Sequence, residues 1–523
     1  MIKENMQEYI PKGAKPETKG NSIMFEVSVL QVKEIVRDLY HNKKLSLKLV
    51  TATDERKEHE CFKVWYIFGV PGENMFVIPY IKLKDSTDFP SLALTIPKIS
   101  NYERKIKTFF GLRPVGHPDL RPIILHENWP SNIFPLRKDF DWQIKPKDAN
   151  GKYEFQEVKG EGIYEIPVGP IHAGIIEPGH FRFSVAGESI VLLEPKLGFV
   201  HKGSEKLFEV LGMEDKVRLS EKISGDSSFG HSLAFCQAVE NLGSVDVPKR
   251  AQYLRSIYAE LERLANHFGD IGAIMIDTGF SFGGSNGARL REIIMRINER
   301  ISGSRFLRGV NIIGGVSKDI SDNEKINLGE DLTKILKDFS EVIDVAENSA
   351  SLLNRLKGTG TIFHETARFR GLVGVAGRAS GKSIDVRVNY PYAGYKDISL
   401  TEIPIETTGD VNARFHVRIK EVYASIELIH KFLQKLPKGH INVSNLKISL
   451  EKNSVATSLV EGWRGEIVYF VTTDSHGNVS RVAPRDPSFI NWDALGYAGF
   501  DNIVPDFPLI NKSFNLSYSG NDL

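Results

Sequence analysis

The stretch Lys222-Ile223-Ser224-Gly225-Asp226-Ser227 places two serines three positions apart, directly ahead of the mostly apolar run Ser228-Phe229-Gly230-His231-Ser232-Leu233-Ala234-Phe235. A second stretch near the far end, Asp486-Pro487-Ser488-Phe489-Ile490-Asn491, repeats the spacing with a serine and an asparagine. Neither contains a cysteine, and Cys61 and Cys236 are the only two in 523 residues. Soft, low-pKa thiolates are the usual protein ligands of soft transition metals, and serine hydroxyls and an asparagine amide at this spacing supply none. Two lone thiols fit a reducing cytoplasm and rule out a disulfide scaffold. They also leave no four-thiolate iron–sulfur site within this chain.

Composition narrows the classes further. A chain of 523 residues exceeds one ordinary core, so two or more domains are expected. Lys and Arg total 67 against 66 Asp and Glu, a net charge of +1 that provides no basic footprint for nucleic acid. The opening Met1 to Gly20 is polar and mixed in charge, which is not a signal-peptide pattern. No apolar run nears the roughly 20 residues needed to span a bilayer, so membrane association is expected only through partner proteins. Gly283-Gly284-Ser285-Asn286-Gly287 reads as a glycine-rich start to a helix; no Gly-x-Gly-x-x-Gly follows a strand, so nicotinamide binding by this chain has no support.

Residues 1–145 read as an α/β domain. Ile23 to Leu30 and Phe62 to Phe68 have the β-branched and aromatic content of strands, and Val32 to Tyr40 is apolar at helical spacing. Residues 146–162 are polar, carry Gly151, Gly160 and Gly162, and form a linker. Residues 163–523 read as a mainly α-helical bundle with small β edges. A short β region (Phe181 to Leu193) precedes long amphipathic helices. One starts at Asp246 and Pro248, carries Leu254, Tyr258, Leu261, Ala265 and Phe268 on one stripe, and meets a stop at Gly269. Others cover Ala288 to Ile301, about Asn323 to Leu356, and Asp410 to Leu436. On the first of these, Glu260, Arg263 and His267 share a face, as a solvated charge stripe or a packed ion network.

A family resemblance joins these pieces. Gly116-His117-Pro118-Asp119-Leu120-Arg121, Trp129 and Leu136-Arg137-Lys138-Asp139-Phe140 resemble the C subunit of complex I, although Glu103-Arg104-Lys105 lacks the second Glu of that family. Gly169-Pro170-Ile171-His172, Glu177-Pro178-Gly179-His180-Phe181-Arg182-Phe183, His201-Lys202-Gly203-Ser204-Glu205-Lys206 and Glu262-Arg263-Leu264-Ala265-Asn266-His267 resemble the D subunit of complex I. They also resemble the large subunits of membrane-bound, energy-converting nickel–iron hydrogenases of the formate hydrogenlyase and hydrogenase-4 type. Asp506 to Leu516 is similar to the tail of that hydrogenase branch. Where it places paired thiolates, this chain has Ser224, Ser227, Ser488 and Asn491, which marks them as degenerate ligand positions and implies no metal.

The resemblance also implies roles. Asp270 matches an acid that pairs with a quinone-headgroup His, for which His180 and His172 are both candidates. The tyrosine that contacts quinone in complex I falls on Gly225, which offers no hydroxyl. Glu177 matches a proton shuttle; the plainer alternative is a carboxylate that satisfies nearby backbone N–H groups. His201, Lys202 and Glu205 are expected to face the iron–sulfur cluster of a partner.

The expected function is a peripheral-arm subunit of a complex I-like, hydrogenase-related oxidoreductase. It would couple electron transfer from partner iron–sulfur clusters to ion translocation without its own nickel–iron site. The alternatives are a quinone-reducing NADH dehydrogenase-type subunit and a non-catalytic scaffold. The implied partners are a small iron–sulfur subunit like the B subunit of complex I, a ferredoxin-like subunit, and antiporter-like and quinone-channel-like membrane subunits. The implied location is the cytoplasmic face of the cell membrane. No cofactor is expected on this chain alone, with quinone the open case.

Overall fold

The structure, a computed structural model, describes residues 4–523. In the first domain Ser22–Glu26 pairs in parallel with Met75–Leu83. Cys61–Val70 lies antiparallel between Met75–Leu83 and Ser46–Glu55, and Glu17–Lys19 completes one edge. Cys61–Val70 is buried at nearly every position, so both faces of this central strand are covered. The helix Ser100–Phe110 packs on the sheet, and Trp65 meets Phe470 of the second domain with ring centres 5.6 Å apart. The strand expected over Ile23 to Leu30 ends at Glu26. The helix expected over Val32 to Tyr40 is regular as Val32–Arg37 and widens through Asp38–Asn42.

Residues 146–162 carry no helix or strand, but they are strapped down. Tyr153 and the Gln156 N–H both donate to Glu194, and Arg121 donates to the Glu154 carbonyl. The chain then forms the antiparallel sheet Ile163–Val168, His180–Ala186 and Ser189–Lys196.

The helix Lys249–Asp277 is the axis of the second domain, flanked by Ser281–Ser302 and Val411–Gln434. Gly269 does not stop it. Ile271, Ile274 and Met275 continue the buried stripe, and Gly269 and Gly272 lie against the Ser281–Ser302 helix. Gly283, Gly284 and Gly287 sit inside that helix rather than ahead of it, where a Cβ on Gly287 would fall 2.5 Å from Gly272 Cα. The long stretch from Asn323 to Leu356 is two helices, Asp322–Glu347 and Ala350–Leu356, the second capped by the Ser349 hydroxyl.

Sequence reasoning missed the sheet Val455–Gly462, Gly465–Thr473 and Val479–Arg485. It is buried throughout, between the helix Ser228–Leu242 and the first domain, and so lacks the alternation of a half-exposed strand. Around it Glu260, Arg263 and His267 form a packed ion network. Arg263 reaches Glu260 at 3.2 Å, His267 reaches Glu421 at 2.7 Å, Arg378 bonds Glu421 and Glu461, and Arg387 bonds Glu260 and Asp385. Buried charges are tolerated only when paired and hydrogen-bonded in this way.

Candidate functional site

The turn before the Ser228–Leu242 helix, the loop between Val168 and His180, the turn at Gly462–Gly465 and the C-terminal residues 507–519 enclose a cleft of about 640 Å³. Arg464 forms its floor. Its guanidinium grips both Asp226 oxygens, at 2.6 and 2.7 Å, and donates from Nε to the Asn515 carbonyl at 2.5 Å. Burial works against the Asp226 carboxylate, but Arg464 outweighs it and holds the group below the usual carboxylate value.

The four degenerate positions do not converge on an open point. Ser224 Oγ lies 2.9 Å from both Asp226 Oδ1 and Ser517 Oγ, and Ser227 reaches Asp226 at 3.5 Å. Ser488 Oγ accepts the Ser517 N–H at 2.9 Å. The Asn491 amide pairs with the N–H and the carbonyl of Val373, both at 3.1 Å. These are neutral oxygen and nitrogen groups already committed to Asp226, Ser517 and backbone, a set that does not fit a nickel–iron group. Behind them His231 lies between Tyr469 at 3.1 Å and Asp486 at 2.9 Å, all three buried. Asp486 also caps the helix Pro487–Gly499 through Ser488 N–H.

Glu177 lines the cleft and accepts the Ser519 N–H at 3.0 Å, so it does satisfy backbone while facing the cavity. His172 lines it too, with Nε2 3.1 Å from the Tyr518 hydroxyl. Burial lowers the His172 pKa and pushes Tyr518 up to about 12, so this pair is neutral near pH 7. His180 is elsewhere: it is the first residue of its strand, lies 3.5 Å from the Gly169 carbonyl and packs at a tilt against Phe155 of the linker. Asp270 pairs with neither histidine. Arg418 donates to one oxygen at 2.8 Å and Asn515 to the other at 2.6 Å, because the acid lies within the bundle, facing the Val411–Gln434 helix.

The three residues expected to face a cluster have different immediate surroundings. His201 Nδ1 lies 2.6 Å from the Asp522 carbonyl, and burial lowers its pKa. Lys202 is exposed and donates to the Lys222 carbonyl at 2.5 Å. Glu205 is 3 % exposed and is held by Lys105 and Arg481, so its carboxylate ties the two domains together. The cleft residues that sequence reasoning missed are Arg464, Ser517 and Tyr518. The last two lie just beyond the recognised tail, and Arg464 sits in the unrecognised sheet.

Comparison with known proteins agrees with this architecture. Residues 25–146 match the family described as respiratory-chain NADH dehydrogenase, 30 Kd subunit, and residues 277–459 match its 49 Kd subunit. Formate hydrogenlyase subunit 5 of Escherichia coli K12 is 32% identical over 503 residues, covering 95% of this chain and 88% of its own length. Hydrogenase-4 component G of the same organism is 32% identical over 506 residues, covering 96% and 88%. The C/D subunit of NADH-quinone oxidoreductase from Phocaeicola vulgatus is 30% identical over 424 residues, covering 78% and 81%. The chain therefore belongs to the fused 30 Kd/49 Kd family of oxidoreductase-complex subunits that includes formate hydrogenlyase subunit 5, hydrogenase-4 component G and the C/D subunits of NADH-quinone oxidoreductase.

Proposed function

We propose that this chain is the peripheral-arm large subunit of a membrane-bound, complex I-like, hydrogenase-related oxidoreductase, and that its cleft takes a small organic acceptor where hydrogenase relatives hold metal. The observation that carries the reading is the Arg464–Asp226 pair, with Ser224 and Ser488 each bonded to Ser517 beside it. Arg464 and Asp226 neutralise each other there, and the groups around them include no soft donor. Electrons would arrive from clusters in a small iron–sulfur subunit and a ferredoxin-like subunit. Antiporter-like and quinone-channel-like subunits would hold the assembly at the cytoplasmic face of the membrane and move the ion. Among the described residues no helix is long and apolar enough to cross a membrane, which agrees with attachment through partners.

One observation favours a quinone as that acceptor. The Tyr518–His172 pair supplies the cleft with neutral hydrogen-bonding groups beside Ile176, Phe507 and Leu516, a polar end and an apolar wall suited to a carbonyl on a flat ring. The test is purification of the complex through this chain, followed by metal analysis and donor–acceptor assays. Iron and acid-labile sulfide without nickel, with turnover on a quinone that Tyr518→Phe weakens, is the expected result. Stoichiometric nickel on this subunit would overturn the reading; clusters without turnover on any pair would make the chain a scaffold.

A further inference from the structure

Behind the cleft floor lies a second, much smaller cavity. It measures about 20 Å³ and is lined by Gly225, Asp226, Glu262, Asn266, Asn298 and Arg305, among others. That is room for one water molecule, given that a site needs roughly 10–15 Å³ of probe-occupied space. Gly225 and Asp226 line both this cavity and the cleft, so the two are separated only at that turn. Gly225 is also the position without a side chain there: a Cβ added to it would meet nothing nearer than Arg308 Nη2 at 3.6 Å.

Two groups in the cavity point to an occupant. Asn298 is 1 % exposed, and its Oδ1 has no hydrogen-bond partner although its Nδ2 donates to the Arg305 carbonyl at 3.3 Å. A buried amide oxygen left without a donor is costly, and a water molecule is the usual remedy. Glu262 is the other. Its Oε1 and Oε2 accept the N–H groups of Phe229 and Gly230 at 2.6 and 3.0 Å, at the start of the Ser228–Leu242 helix. No Lys or Arg forms an ion pair with it among the described residues.

We propose that Glu262 is the proton store of the cleft, exchanging its proton through a water held between Asn298 and Gly225. Only a proton moves in this step: the carboxylic acid releases it to the water and becomes a carboxylate, and the reverse transfer restores it. The role rests on the cleft being where an acceptor is reduced, and it names the acid that serves it. Burial pushes Glu262 up to about 8, against the two backbone N–H groups that favour its charged form. Asp226, from the turn, pushes it up as well, while Arg263 on its own helix pulls it down. Arg464 is engaged by Asp226, Arg305 by Glu292, and Arg291 borders the cavity from the neighbouring helix. An acid neutral at pH 7 and ionised a unit or two above it can both give and take a proton under physiological conditions.

The test is infrared difference spectroscopy on the purified complex, which reads protonated carboxyl groups whether or not the complex turns over. The expected result is a carboxylic-acid band that is lost as pH rises through about 8, is absent from Glu262→Gln, and shifts in deuterium oxide. Gly225→Val, which fills the gap without touching Glu262, is expected to keep the band and slow its deuterium exchange. Glu103 contributes its own carboxylic-acid band, lost through about 7; a band lost through about 8 that keeps its full amplitude in Glu262→Gln, or exchange in Gly225→Val as fast as in the parent, would overturn the proposal. Nickel in the complex would count against the functional reading alone and would leave these spectra interpretable.

Discussion

At the residue scale the molecule is governed by how buried charges find partners. Glu421 is fully buried and bonds His267 and Arg378, with Arg263 at 3.5 Å. Replacing Glu421 with Ala leaves the Arg263 and Arg378 guanidiniums without their shared acid, and His267 without its acceptor, in a dry interior. The expected cost is about 3–5 kcal/mol, the range for breaking a buried pair from one side, read as a drop in the midpoint of denaturant unfolding. A loss under about 1 kcal/mol would mean water reaches the network, since exposed pairs contribute that little. The site was partly legible at this scale. Spacing alone placed Glu260, Arg263 and His267 on one face, and His172 and Glu177 do line the cleft. What spacing could not show was the partner of each group. Asp270 went to Arg418 and Asn515, and Glu205 to Lys105 and Arg481, through contacts 148, 245 and 276 positions away for the hydrogen bonds from Arg418, Asn515 and Arg481.

At the element scale glycines were read as punctuation where the fold uses them as contact surface. The helices Lys249–Asp277 and Ser281–Ser302 approach so closely at Gly272 and Gly287 that a Cβ on Gly287 would fall 2.8 Å from the Phe268 carbonyl. Gly287→Ala is therefore expected to destabilise by about 1–3 kcal/mol through overpacking. Gly329, within the helix Asp322–Glu347, is the opposite case: its added Cβ would meet only the His430 ring at 4.0 Å. Gly329→Ala is expected to stabilise by up to about 1 kcal/mol, because alanine is the better helix former. Thermal melts of the two variants test the idea together, and a common sign would refute it. Apolar periodicity had identified the helices themselves, since it records which face is buried. It said nothing about the Val455–Arg485 sheet, whose strands are buried on both faces and carry Glu461, Glu466, Arg481 and Arg485 for the ion pairs they make.

At the scale of the whole molecule the two domains are joined by acids of one domain caught between cations of both. Glu205 lies between Lys105 of the first domain and Arg481 of the second, and Glu466 between Lys48 at 2.5 Å and Arg485 at 2.5 Å. Burial raises both acids, but the cations outweigh it, so each sits below its ordinary value of 4.5. A carboxyl group whose folded pKa is depressed contributes stability that is complete above its unfolded pKa and is lost as pH falls through the folded one. The seam should therefore hold at pH 5 and weaken progressively below about 4.5. Glu103 acts in a different window, because burial pushes it up to about 7 and its cost to the fold appears between 4.5 and 7. The two effects are thus separated by pH. Hydrogen exchange over Ser46–Glu55 and Val479–Arg485 is expected to lose protection below pH 4.5 before the helix Lys249–Asp277 does. Glu205→Gln should weaken the seam at pH 7 and make its acid loss shallower, because the amide keeps the shape but neither the charge nor the titration. Protection at the seam that outlasts that of the central helix in acid would show that apolar packing, such as Trp65 on Phe470, holds the domains together without the ion pairs.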